Sequence, residues 1–129
     1  MKVKGVAHIA INTSDYEKSM VFYRDIVGFE YINRVQFDGY SITYLQIPCG
    51  ALMEIFEYGK RDDTASGDNA LTGYRHLAFT VEDVDEVEKK MNEHNIPVRL
   101  RPTDMPELGV RGMLVVDPNG IEVEFCKPL

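Results

Sequence analysis

The chain has little cysteine, no long apolar run and fewer basic than acidic residues, and each shortage removes a class of protein. Two cysteines in 129 residues, Cys49 and Cys126, form neither a metal-type CxxC pair nor a secretory disulfide framework. They read as free, partly buried thiols in a reducing compartment. No apolar stretch is long enough to cross a bilayer as a helix, and no basic, apolar leader precedes the first charged segment, so the expected location is cytoplasmic. With 14 basic against 21 acidic residues the formal charge is −7, a field that repels nucleic acid and anionic membrane surfaces. What is present is ordinary for a globular protein: 44% hydrophobic and 27% charged residues, in a length that fits one compact domain.

The informative feature is an internal repeat. Val6-Ala7-His8-Ile9-Ala10-Ile11 and Tyr74-Arg75-His76-Leu77-Ala78-Phe79 each set a histidine in an apolar run with an alanine two places on. The histidines lie 68 residues apart, and the same offset aligns Asp15 with Asp83 at the start of the next segment. Both following segments have helical periodicity. In the first, Tyr16, Met20, Tyr23 and Val27 form the stripe behind Ser14 or Asp15 as N-cap, and Gly28 ends it. In the second, Val84, Val87 and Met91 form the stripe behind an acidic first turn, and the pattern stops before Ile96-Pro97; His94 falls at its end as a capping or surface residue.

Strand patterns follow each helix: FEYINRV and YSITYLQI in the first half, VRLR and RGMLVV in the second. Each half then closes on a P-x-G-x-x-x-E copy, Pro48 to Glu54 and Pro118 to Glu124. The fold class expected is α+β, with two tandem βαβββ units, about 1–58 and 74–129, joined by a polar linker over about 59–73 within one domain. Each unit is too small to hold an independent core, so the two should pair.

Strand alternation places His8 with Val6 and Ala10, opposite Ala7, Ile9 and Ile11. His76 shares a face with Ala78 and Thr80, opposite Leu77 and Phe79. In the closing strands Glu54 stands opposite to Met53 and Ile55, and Glu124 opposite to Val123 and Phe125. One histidine and one glutamate per unit therefore point away from the helix. If the sheets curve with the helices outside, these four residues converge in a concave interior. Unpaired buried charge is costly, and a divalent metal resolves that cost; two imidazoles and two carboxylates suit Zn, Ni, Co, Mn or Fe. The plain alternative is a hydrogen-bonded strand histidine and an exposed strand glutamate in each half.

These segments resemble the vicinal oxygen chelate superfamily, which includes glyoxalase I, methylmalonyl-CoA epimerase, extradiol dioxygenases and fosfomycin-modifying thiol transferases. The resemblance covers nearly the whole chain through VAHIAINTSDYEKSMVFYRDIVGFE, ALMEIFE, GYRHLAFTVEDVDEV and VVDPNGIEVEF. It implies two βαβββ units forming a cupped mixed sheet around one divalent metal. The implied ligands are His8, Glu54, His76 and Glu124; Glu122 is the neighbouring competitor, set aside because Glu124 lies four residues after Gly120 as Glu54 does after Gly50.

Glu54 occupies a position that the dioxygenase and fosfomycin branches lack, so the resemblance points to a glyoxalase I-like lyase or isomerase, with a methylmalonyl-CoA epimerase-like enzyme as the alternative. An Fe(II) dioxygenase and a metal-free binding or resistance protein are further alternatives. The glutathione-type enzymes carry Arg four residues after the first ligand and Asn four after the second. Asn12 and Tyr58 hold those places here, which leaves the thiol open.

The implied chemistry is proton transfer next to a carbonyl through an enediolate, with Glu124 as base and Glu54 as its partner. Arg99, Arg101 and Arg111 are candidates for a substrate carboxylate or phosphate, with solvated strand arginines as the alternative. Tyr44 and Phe56 are candidates to line the cup, or simply to pack. The resemblance also implies a small-molecule carbonyl or thioester substrate and a homodimer, with each metal held within one chain or shared between two.

Overall fold

A computed structural model describes residues 1–48, 50–65 and 72–129. Cys49 and the middle of the expected linker lie outside the described residues. The chain is α+β and divides into two compact units, Met1–Asp63 and Thr64–Leu129.

The first unit runs β1 (His8–Thr13), α1 (Tyr16–Met20) continued by a π-helical segment (Val21–Ile26), β2 (Glu30–Gln36), β3 (Ser41–Gln46) and β4 (Leu52–Glu57). The second runs β5 (Leu77–Thr80), α2 (Val84–Glu93), β6 (Val98–Met105), β7 (Val110–Val116) and β8 (Glu122–Pro128). Each unit builds one four-stranded mixed sheet, in the order β1-β4-β3-β2 and β5-β8-β7-β6. The first and last strands of each unit are parallel neighbours, and the remaining pairs are antiparallel.

The aspartates aligned by the repeat are both helix N-caps. Asp15 accepts from the Lys18 amide, and Asp83 from the amides of Asp85 and Glu86. The second helix follows its stripe, with Val84 and Met91 buried and Val87 half-buried, and closes on His94, which is exposed.

The first helix departs from the expected regular α pattern. The Val27 amide donates to the Phe22 carbonyl, five residues back, and the wider turn rotates Phe22 and Ile26 into the core beside Tyr23. Phe22 meets Tyr23 edge to face at 4.8 Å. Val27 is left half-buried, and Gly28, at φ +91°, ends the segment.

In each sheet one face is covered. In β1, Ile11 and Thr13 are buried while His8, Ala10 and Asn12 are exposed, and the Thr13 and Ser19 hydroxyls meet at 2.8 Å, tying β1 to α1. In the second unit α2 lies against β6, β7 and β8, with Leu77, Met113, Val115, Val123 and Phe125 beneath it. The P-x-G turns share a backbone requirement: Gly50 and Gly120 adopt φ +95° and +82°, a region costly for residues with a Cβ. In the second copy Asp117 accepts from the amides of Asn119 and Ile121, and Ala65 donates to the Asn119 carbonyl across the turn.

Candidate metal centre

Strand register explains why each histidine meets a glutamate. β1 and β4 run parallel with Ala10 directly opposite Glu54, and β5 and β8 run parallel with Ala78 directly opposite Glu124. The alanine of each His-x-Ala run thus stands beside the carboxylate. A longer side chain there would fill the space through which the carboxylate reaches the histidine two residues earlier. His8 opens β1, and His76 immediately precedes β5.

The two pairs differ in closeness. In the first unit His8 Nε2 lies 3.7 Å from Glu54 Oε2, beyond hydrogen-bond reach, with the histidine side chain 51% exposed. In the second His76 Nε2 lies 2.7 Å from Glu124 Oε2, and the two side chains are 25% and 19% exposed. His76 Nδ1 is buried and has no hydrogen-bond partner among the described residues. Tyr44 stands opposite Glu54 across the β3–β4 pair. Burial, followed by the Glu54 charge, pushes the Tyr44 phenol up, so it stays protonated at neutral pH. The position facing Glu124 is Leu114, which has no polar group to offer.

Several acidic residues of the sheets and of α2 take arginine partners. Arg34 binds Glu57 and Ser41 and lies 4.0 Å over the Tyr16 ring. Arg101 binds Glu88 at 2.6 Å, and Arg111 bridges Asp85 and Asp104 at 2.7 and 2.8 Å. These arginines hold the Glu88 and Asp85 carboxyls below the usual carboxylate range. Since Glu88 and Asp85 belong to α2, Arg101 and Arg111 turn to the helix-covered face, away from His76 and Glu124.

Arg99 takes another course. The register shift between Val98 and Leu100 brings its Nη1 to 3.0 Å from Oε1 of Glu122, whose side chain is 3% exposed. Glu122, the neighbouring competitor to Glu124, is buried and ion-paired. Among the described residues, then, the recorded ion pairs of Glu54 and Glu124 are with imidazoles, whereas those of Glu57, Glu88 and Glu122 are with guanidinium groups.

Phe56 shares the Glu54 face and is half-buried in a stack with Tyr40, at 6.3 Å, and the exposed Tyr58, at 6.4 Å. Cys126 is a half-buried free thiol near Glu124; burial, then the Glu124 charge, raise its pKa and keep it protonated.

The donor set, imidazole nitrogens and carboxylates whose ion pairs among the described residues are not with guanidinium groups, suits a divalent metal of the zinc-to-iron range. Among the described residues no three His, Cys, Asp or Glu side chains gather as a group that could hold a metal ion. Strand alternation puts His and Glu on one face but does not put Tyr44 beside Glu54, which depends on the register of the β3–β4 hairpin.

These features define a class. The chain belongs to the Glyoxalase/Bleomycin resistance protein/Dioxygenase superfamily, whose description it matches over residues 5–125. Among curated proteins it is 33% identical over 128 residues to the Bacillus subtilis (strain 168) "Uncharacterized protein YwkD", covering 97% of this chain and 98% of that one. It is 25% identical over 125 residues to a "Probable lactoylglutathione lyase" of Synechocystis sp., covering 93% and 92% of the two chains. Among solved structures, a trypanothione-dependent glyoxalase I of Leishmania major superposes with a TM-score of 0.75 at 26% identity, covering 95% of this chain and 86% of that one. No helix among the described residues is long and apolar enough to cross a membrane.

Proposed function

We propose that this protein is a divalent-metal-dependent lyase or isomerase of the glyoxalase I type, moving a proton between carbons next to a carbonyl. The observation that carries the reading is the twofold His–Glu pairing: the same histidine, alanine and glutamate positions recur in both units, with each carboxylate facing an imidazole. Similarity to the cyanobacterial probable lactoylglutathione lyase and to the Leishmania glyoxalase I supports it. His8, Glu54, His76 and Glu124 would hold the ion, supplied by one chain or by two copies in a homodimer. A bound Zn, Ni, Co, Mn or Fe ion supplies Lewis acidity to the substrate oxygens.

The residues divide the work unequally. Glu124 has no hydroxyl donor opposite it and is the base, accepting the proton from the carbon next to the carbonyl and returning it to the neighbouring carbon. Tyr44 stands beside Glu54 where Leu114 stands beside Glu124, a difference in surroundings that favours one moving carboxylate over two equivalent ones. That asymmetry argues for the isomerase reading over an epimerase, where two carboxylates act across one carbon. Asn12 and Tyr58 stand where the glutathione-type resemblance has Arg and Asn, so a small-molecule carbonyl carried by another thiol fits this chain as well as the glutathione adduct.

The test is metal analysis of the purified protein followed by hemithioacetals of several thiols in deuterated buffer. One divalent ion per four-ligand site and 2-hydroxythioester product with deuterium at the new C–H are expected. Protein that takes up no stoichiometric ion and turns over no such substrate overturns the reading. Within it, Tyr44→Phe is expected to weaken metal affinity about 10-fold, the usual scale for altering a ligand's polar neighbour, with no change in fold. Competition against a chromophoric chelator measures it, and unchanged affinity rules out a supporting role for the Tyr44 hydroxyl.

A further inference from the structure

Gly112 has no evident reason to be glycine. It is buried in the interior of β7 and does not adopt positive φ, so its backbone is open to any residue. Glycine inside a strand costs stability and often marks a close approach by another group. The corresponding residue of the first unit is Ile42, which faces Phe56 as Gly112 faces Cys126. A Cβ added at Gly112 would stand 3.0 Å from Met105 Cε, 3.1 Å from Glu124 Oε1 and 3.7 Å from Cys126 Cβ. The other oxygen of Glu124 is the one 2.7 Å from His76. The carboxylate is therefore bracketed, Oε2 against the imidazole and Oε1 in the space a side chain at 112 would take.

We propose that Gly112 is a positioning residue for Glu124: its missing side chain is the slot that lets the carboxylate lie along the sheet and face His76. The first unit has no such slot, with Ile42 at that position, and there the His–Glu contact is the longer 3.7 Å. Any side chain at 112 must displace two neighbours. Met105 meets it with a methyl that can rotate away; Glu124 meets it with a carboxylate oxygen that must give by a few tenths of an ångström, on the same group that reaches His76. The contact with His76 concerns the protein alone, while the consequence for metal affinity rests on the metal-centre reading.

The test uses the full chain, first without metal. Proton NMR at low temperature should reveal a downfield imidazole N–H of His76, identified by its absence in His76→Ala. Gly112→Ala should lose that resonance or move it upfield. In Met105→Ala/Gly112→Ala the methyl obstacle is gone, so thermal stability should recover while the resonance does not. With Co(II), Gly112→Ala should bind about 10-fold more weakly than the native chain, as for other disturbances of a ligand's support. A native spectrum lacking the His76 signal, a Gly112→Ala spectrum that keeps it, or its return in the double variant overturns the inference. A native chain that binds no Co(II) yet loses the His76 signal on Gly112→Ala overturns the metal-centre reading and leaves the positioning role standing.

Discussion

Glu124→Gln is expected to lower kcat about 1,000-fold, within the usual range for removing a general base, while leaving the fold intact. Glutamine keeps the length and an oxygen toward His76 but cannot accept a proton from carbon. The loss should therefore fall on kcat, and incorporation of solvent deuterium into product should fall with it. Glu54→Gln is the comparison, because Tyr44 stands beside that residue and the proposal makes it the fixed partner. Rates measured per bound metal, with occupancy determined in the same sample, separate a lost base from a lost ligand. If Glu54→Gln abolishes proton transfer and Glu124→Gln does not, the roles are reversed.

His76→Ala is expected to weaken metal binding by about 100-fold or more, beyond what is typical for disturbing a ligand's neighbours, and to abolish turnover. His76 precedes β5 and is partly exposed, so the core beneath Leu77 and Val123 should be unaffected and the circular dichroism spectrum unchanged. The metal retained after gel filtration is the measurement. Full stoichiometry in the variant would remove His76 from the ligand set.

Much of the architecture was readable because its signals are local. The aligned Asp15 and Asp83 cap their helices, the P-x-G turns need their glycines, and the two-residue alternation assigns His8, Ala10 and Asn12 to one face with Ile9 and Ile11 on the other. The π turn was not readable. Phe22 and Ile26 fit an α or a π continuation equally in sequence, and packing against the core selects the wider turn.

The arginines taught the converse lesson about sites. In sequence Arg99, Arg101 and Arg111 look equivalent, three strand cations near the second His–Glu pair. Their partners lie on other elements: Glu122 on β8, Glu88 on α2, and Asp85 with Asp104. Two of the three face the helix. Tyr44, by contrast, looked like one aromatic among several, and its alignment with Glu54 makes it the neighbour of a candidate ligand.

By itself the sequence determined the duplicated βαβββ order, the helix starts, the turn glycines and the face on which each histidine and glutamate stands. Each depends on backbone preferences and periodicity over a few neighbouring residues. Only the tertiary structure decided which carboxylates keep arginine partners, that Ala10 and Ala78 stand opposite the glutamates, and that Glu124 lies over the empty side of Gly112. Those are contacts between strands distant in the chain, set by register, where a one-residue slip would move every side chain to the other face.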